Sequence, residues 1–540
     1  MDVNHRNNLT ISYMCALNTY RSLCITCGAW AALTLWDWVS HLNMEKNRVY
    51  IPRVLKIFRG IVLFFVDYVW QDSEGVYHTG PTTSPENSYG IKTKNVSTRN
   101  HPGPGPGPGP GPIPGPVPPS NPQQQPDAIE YLTFSPAIDI SVLRQVANVF
   151  SILISSSSEL FPDYSIDKTD TGYFSDKKLA DKFELIVHKT VGGGLPTVNS
   201  DGLISEYPNP IPGIILPDEK TGNFGDAGKI YKSLNEEIDR GHRHFSAFHF
   251  IYPSAFTIDG PKWNVYKAAA IKTLQLKMKA NGAHTSWSST WSASLWARLH
   301  KPHEVEVEID KLFRRYTLHN LYSLHPPLAE LTQVKGCETC FHEVAINDND
   351  VNGKVRRSTA AAERGLVTQD NSKVQLDGSM GYLAAINEIL VQSHIPGKLY
   401  LLPCLTSTIK KYGNLLGFTA RGNILLDMEW NDGEIKSAKL TIPSYHIWHH
   451  IEPSVLEKQL DNGYYRLKNN FSKFNELAIT IYSPNNLIIG SSESDCVKLN
   501  KKTSYTKFNI FQESDSTASN SIDLVVRSYP CIFSLIQNML

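Results

Sequence analysis

From Pro102 to Pro118 nearly every second residue is proline, and most of the residues between are glycine. Proline has no N–H to donate and fixes its own φ, so neither a helix nor a sheet ladder can run through such a stretch. Residues His101–Gln125 therefore divide the chain, as a linker, an insertion or a translated repeat with no structural role. Folding has to happen on either side of it. At 540 residues there is enough chain to bury a large core and to form two or three domains.

Both sides carry helical periodicity. Leu55, Phe58, Val62, Phe65 and Val69 step by threes and fours, which marks one buried helix face. The same spacing recurs at Leu143, Val146, Val149 and Leu153, and at Ala268, Ile271, Leu274 and Met278. It appears again at Trp291, Leu295 and Leu299, and at Leu383, Ile386 and Leu390. Loops rich in Gly, Pro, His and Trp lie between, and many helices with chemically loaded loops suggest an α/α toroid rather than a compact bundle. From about Tyr412 the period shortens to two. Asn423–Trp430 is apolar-rich, Asn431-Asp432-Gly433 is a turn signal, and Ser437–Ile442 alternates, which predicts a small β domain over 406–540. Residues 328–373 form a polar, weakly periodic stretch that reads as a long surface loop.

Lysine plus arginine and aspartate plus glutamate each number 52, so charge offers nothing to nucleic acid or an anionic membrane. The longest apolar run, Ile57–Trp70, contains Arg59 and Asp67 and is too short to span a bilayer. Met1–Asn18 lacks the charged start and apolar run of a secretory signal. The chain reads as soluble, with neither a nucleic-acid nor a membrane partner, and its localisation is unassigned. Sequons stand at Asn8, Asn95 and Asn470. Eight cysteines are too few for a disulfide-built fold of this length. Cys24/Cys27 and Cys337/Cys340, the latter beside His342, lie too far apart in sequence for a shared zinc pattern. The first pair falls in an apolar, Trp-rich helical segment, where cysteine behaves as a small apolar residue. Neither a metal nor a cofactor is expected.

The chemically suggestive segments are few. Gly80–Tyr89 holds one acid, Glu86, in a stretch stiffened by Pro81 and Pro85 and filled with small hydroxyl residues. Scaffolding of that kind suits a carboxylate needed in one orientation, although a helix-capping loop would look the same. His242-Arg243-His244 precedes an apolar run and reads as a capped helix start with buried histidines; metal ligation is the weaker alternative, because no acidic or third histidine ligand sits at a telling spacing. Histidines at i and i+2 share a side only on a strand. Trp287 and Trp291, in Ser286–Leu299, could floor a sugar site or simply pack the helices. His325-Pro326-Pro327 is followed, beyond the polar stretch, by Asp377-Gly378 at the start of the Leu383 helix. Asp377 is either an N-cap or a second carboxylate to partner Glu86. Glycoside hydrolysis needs two such groups, one to protonate the leaving oxygen and one to activate water.

Together, Gly80–Tyr89, Gly241–Pro253, Ser286–Leu299, His325–Pro327 and Gln375–Gly381 resemble, in that order, the α-L-fucosidases of glycoside hydrolase family 95. Gly28-Ala29-Trp30, Leu35-Trp36, Gly75–Gly80 and Leu401-Leu402-Pro403 fit as well, and the resemblance covers about residues 25–92 and 130–445. It implies an (α/α)6 barrel, incomplete on its N-terminal side, followed by a small C-terminal β-sandwich-like domain. The barrel would open with residues 1–92, be interrupted at 93–128 and resume over 129–405. The implied reaction is hydrolysis of terminal α-1,2-linked L-fucose with inversion, on a fucosylated oligosaccharide or polysaccharide. Glu86 would be the general acid and Asp377 part of the base machinery, with His242, Arg243, His244, Trp287 and His325 lining the fucose pocket. Inversion needs the two carboxyls roughly 6.5–9.5 Å apart.

The chain also departs from the family. It has no counterpart to the upstream asparagine pair that positions the attacking water, and none to the N-terminal β domain and first barrel helices. Ser379 stands where the family has asparagine beside the base, and Leu328–Lys373 lengthens the loop between His325 and Asp377. A catalytic group misplaced by about 1 Å can cost ~100-fold in rate. These departures predict a truncated, impaired hydrolase; the alternative is a catalytically inactive carbohydrate-binding remnant.

Overall fold

The structure is a computed structural model that describes residues 23–87, 89–93, 128–130, 132–160, 176–208, 231–235, 241–255, 260–280, 282–318, 320–325, 330–333, 341–344, 373–395 and 398–443, together with the strands 456–459, 465–467, 476–482, 487–490, 505–511 and 521–528. The Gly-Pro repeat and the Cys337/Cys340 pair lie outside the described residues.

Four helices share the first core: α1 (Cys27–Ser40), α2 (Met44–Tyr68), α3 (Ala137–Leu160) and α4 (Asp176–His188). In α1 the buried apolar residues are Ala29, Ala32, Leu33, Trp36 and Val39, a stripe of threes and fours. Helix α2 begins at Asn43, whose side chain accepts from Lys46 N at 3.0 Å, a standard cap. It buries Leu55, Phe58, Val62 and Phe65 as the periodicity predicted, while Val69 caps the helix and is half-buried. In α3 the predicted residues Leu143, Val146, Val149 and Leu153 are all buried. Ala137–Ile154 of α3 is, among the described residues, the one stretch apolar and long enough to cross a bilayer, and 78% of it is buried inside the protein. It is a core helix.

The second core is formed by α5 (Gly260–Lys279), α6 (Ser286–Arg298), α7 (Pro302–Arg315) and α8 (Leu376–Leu390), and continues into the C-terminal strands. Helix α6 starts at Thr285, whose hydroxyl accepts from Ser288 N, and it is buried on nearly every side. Its serines and alanines let neighbouring helices approach closely. At its far end Arg298 forms a bidentate pair with Glu388 of α8, at 2.9 and 2.8 Å. Two predicted stripes are corrected here: Ala268 of α5 and Leu383 of α8 are exposed. The faces that pack carry Tyr266, Ala269, Ala270 and Leu274 in α5, and Ala385, Ile389 and Leu390 in α8.

The shift to period two is correct. Strand β1 (Tyr412–Ala420), β2 (Ile424–Asn431), β3 (Glu434–Pro443), β4 (Leu487–Gly490) and β5 (Ser521–Ser528) form an antiparallel sheet in the order β1-β2-β3-β5-β4. Ile424, Leu426, Met428 and Trp430 point inward along β2 while the residues between them are exposed. Asp432 and Gly433 both have positive φ, 49° and 79°, as a type I′ hairpin turn requires. A second, four-stranded sheet contains Val391–Gln392, Lys398–Leu401, Glu476–Tyr482 and Tyr505–Phe511. Within 328–373 a two-stranded hairpin, Glu330–Gln333 with Phe341–Val344, replaces part of the expected loop.

Cys24 and Cys27 are joined in a disulfide, which corrects the reading of them as apolar packing residues. The bridge closes the segment just before α1. There Leu23 O accepts from Thr83 N at 3.0 Å and from the Thr82 hydroxyl at 3.2 Å, and Thr26 Oγ1 donates to Asp139 at 2.8 Å. Thr79 Oγ1 donates to the other Asp139 oxygen at 2.9 Å.

Burial, partly opposed by these hydroxyls, pushes the Asp139 carboxyl up to about 7. An unfolded aspartate titrates near 4, so folding favours the protonated acid. Its contribution to stability is full below about pH 4 and is lost as pH rises through about 7. We expect Asp139→Asn to flatten this part of the curve, so that its urea midpoint gains on the wild type between about pH 4 and 8. Parallel curves for the two proteins would refute the assignment.

Candidate active site

The Glu86 turn is built from the backbone outward. Strand Thr82–Thr83 pairs with Leu132–Thr133, and Asn87 N closes the turn on Ser84 O at 3.0 Å. Glu86 itself has φ 55°, a left-handed conformation that costs a non-glycine residue about 1–3 kcal/mol and persists only where its surroundings impose it. Those surroundings are buried. Ser84 Oγ donates to Glu206 Oε1 and lies 3.2 Å from Ser246 Oγ, and Asn87 Nδ2 donates to Ser246 Oγ at 2.7 Å. The Glu86 side chain stays partly open, at 25% relative exposure.

Opposite it lies His242-Arg243-His244, in an irregular turn that leads into a 3-10 turn at Ser246–Phe248. Ser288 Oγ of α6 donates to Arg243 O and fixes the turn. The Arg243 guanidinium donates to Glu86 Oε2, and His244 Nε2 lies 3.3 Å from the same oxygen. The His242 and His244 rings stack at 4.8 Å with an interplanar angle of 8°, so the two imidazoles share one side without a strand. Burial, reinforced by Arg243 and Lys277, pushes His244 down to about 3. His242 is held well below the ordinary range by burial, with His244, Lys277 and His284 adding to it. Both rings are therefore neutral near pH 7, and each offers one donor and one acceptor nitrogen.

Glu86, His242 and His244 place ligand atoms within 4.8 Å of one another, so a metal has to be considered. The geometry argues against it. Parallel stacked rings cannot both aim an in-plane lone pair at one ion, and the carboxylate already carries the Arg243 cation.

His244 meets the edge of Trp287 at 4.9 Å, and Trp287 opens α6. Its backbone N donates to Gln375 Oε1 at 3.4 Å, and Ser286 Oγ donates to the same oxygen at 2.6 Å. Gln375 is the N-cap of α8, so Asp377 is the second residue of that helix and not its cap. Its carboxylate is exposed in the first turn, where free helix N–H groups favour negative charge. His325 enters through the backbone: strand Leu324–His325 pairs with Lys373–Val374, in register His325 to Lys373, and Gln375 N donates to Ser323 O at 2.8 Å. Glu86, Arg243, His242, His244 and Trp287 are thus in direct succession, and the segment carrying His325 and Asp377 docks on the start of α6. The other two tryptophans of α6 are structural. Trp291 donates to Tyr252 O at 3.1 Å and packs on Trp30 and Phe245, and Trp296 is fully buried. Sequence reading missed Glu206 and Ser323, since single polar residues in aperiodic loops carry no local signal, and it gave no role to Ser246 or Gln375, although both lie in segments that carry the resemblance.

A mainly helical domain with a carboxylate facing a guanidinium and neutral imidazoles is the class the site defines. The glycosyl hydrolase family 95 catalytic domain matches residues 3–102 and 175–390, more than half of the chain, and the chain belongs to that family. Alpha-L-fucosidase 2 of Arabidopsis thaliana is 22% identical over 412 residues, which cover 76% of this chain and 34% of the relative. The chain thus spans about a third of that curated relative's length. A solved human-microbiome structure, provisionally described as a kojibiose phosphorylase, aligns over 88% of this chain and 48% of its own at 10% identity, with a TM-score of 0.33.

The start of α8 is tightly seated. A methyl group on Gly378 would meet Ser286 Oγ and Ser323 Oγ at 2.5 Å and Ser286 Cβ at 2.6 Å. We expect Gly378→Ala to destabilise the protein by about 1–3 kcal/mol. Ser379→Ala, which removes only long hydrogen bonds to Ser323 Oγ and Leu321 O, should cost less than about 1 kcal/mol. Chemical denaturation of the two variants checks the order; equal costs would show that the close approach at Gly378 does not constrain the helix.

Proposed function

We propose that this chain is an α-L-fucosidase that hydrolyses terminal α-1,2-linked fucose with inversion, within an (α/α)6 barrel followed by a β-sandwich-like domain. The observation that carries the reading is Glu86, held in a left-handed turn against Arg243 and His244 and linked through Trp287 and Gln375 to the helix that bears Asp377. Membership of the family supports it.

In this reading Glu86 gives its proton to the glycosidic oxygen as the C1–O bond breaks. A water attacks C1 from the opposite face and passes a proton to Asp377. The neutral His242 and His244 hydrogen-bond sugar hydroxyls without adding charge, and Trp287 offers a flat apolar face. His325 borders the same pocket. Arg243 stabilises the carboxylate that remains after Glu86 has given up its proton. The substrate is a fucosylated oligosaccharide or polysaccharide.

Glu86→Gln and Asp377→Asn should each lower fucose release from a 2′-fucosylated oligosaccharide by about 10²–10⁴-fold. NMR of the fresh product should show β-L-fucose before mutarotation. Unchanged rates in both variants would exclude these roles. Calorimetric fucose binding with no turnover in the wild type would favour an inactive sugar-binding protein instead.

A further inference from the structure

We propose that Glu206 is the positioning residue that holds the Glu86 turn and the His242–His244 turn in mutual register. Glu206 lies in a loop remote in sequence from both, and its backbone is anchored by Ala137 N, which donates to Glu206 O at 2.9 Å at the start of α3. Its carboxylate spans the two turns. Oε1 accepts from Ser84 Oγ, two residues before Glu86, and Oε2 accepts from Ala247 N at 3.2 Å, three residues after His244. Two further bonds close the same seam: Asn87 Nδ2 reaches both Ser84 Oγ, at 3.0 Å, and Ser246 Oγ, at 2.7 Å. Glu86 sits between Ser84 and Asn87, so each bond fixes one side of the residue whose backbone is strained.

A carboxylate suits this place because it is acceptor-only and forked, and both groups facing it donate. Aspartate would stop about one carbon–carbon bond short of one turn or the other. Glutamine would fit, since its oxygen can take the Ala247 N–H while its amide donates to the Ser84 hydroxyl, which rotates to accept. Alanine would leave the Ala247 N–H and the Ser84 hydroxyl without this partner and let the turns drift. Drift of about 1 Å at a catalytic group costs up to ~100-fold in rate.

The proposal deepens the fucosidase reading and rests on it only for the rate measurement, so the test has two arms on the whole chain. In the first, amide hydrogen exchange should accelerate in Glu206→Ala over residues 83–87 and 244–248, leave α2 and α3 as in the wild type, and return to wild-type rates in Glu206→Gln. In the second, kcat on a 2′-fucosylated oligosaccharide should fall about 10–100-fold in the alanine variant, with KM within about threefold, and recover largely in the glutamine variant. Unchanged exchange in the alanine variant overturns the proposal, as does acceleration spread evenly over the chain. A glutamine variant as poor as the alanine one also overturns it, since bare charge would then be what matters. If the wild type releases no fucose, the fucosidase reading falls and the exchange arm alone decides the role of Glu206.

Discussion

Two opposite charges can be taken out of water only if their remaining hydrogen-bonding capacity is met as well. The Arg298–Glu388 pair satisfies that condition and ties three parts of the chain together. Both carboxylate oxygens are engaged, and the third guanidinium nitrogen donates to Ile251 O at 2.7 Å and to Ser254 O. The guanidinium carbon also lies 4.8 Å from the centre of the Tyr252 ring. Helix α6, helix α8 and the segment that follows the histidine turn are thereby locked at one point. Because α6 carries Trp287 at its other end and α8 carries Asp377, the pair sets the angle at which two parts of the proposed site meet. Removing either partner would leave a buried charge alone, at a cost of about 3–5 kcal/mol.

The same constraint explains the composition of α6. A helix buried on nearly every side needs small side chains where its neighbours come close, and any hydroxyl it carries must find an acceptor. Ser289 bonds Glu308, Ser294 bonds Thr290 O, Ser288 bonds Arg243 O and Ser286 bonds Gln375. Two of these four partners belong to the site. Packing and the geometry of the candidate site therefore share the same serines, and the position of Arg243 follows from the burial of α6.

What was legible in the sequence follows from how local each cause is. The stripe Leu55–Phe58–Val62–Phe65 and the Asp432-Gly433 turn are determined within a few residues, and both are found as read. Ala268 and Leu383 were misread because period alone does not set phase: in α5 the small Ala269 and Ala270 do the packing, and in α8 Ala385 and Ile389 do. The Glu86 turn and the His-Arg-His segment announced themselves through proline and clustered polar residues. Glu206 did not, because its meaning depends on Ser84, 122 positions away, and appears only once the chain has folded. Asp377 lies at a helix start as read, but of its two open roles the cap falls to Gln375.

The two carboxylates are held in contrasting ways, and the contrast matches the division of labour proposed for them. An acid has to meet one oxygen of the leaving group from one direction, so its backbone and its neighbours are over-determined: a left-handed φ, a buried Ser84–Asn87–Ser246 seam and an arginine on the carboxylate itself. A base that works through water has more latitude, because the water supplies the last hydrogen bond and can shift with the sugar. Asp377 has that latitude, exposed on the first turn of α8, yet its backbone does not wander, because Gly378 leaves no room between the helix and the Ser286 and Ser323 hydroxyls. Rigidity sits in the main chain on one side of the site and extends to the side chain on the other, the side where the proposed reaction delivers a proton rather than receives one.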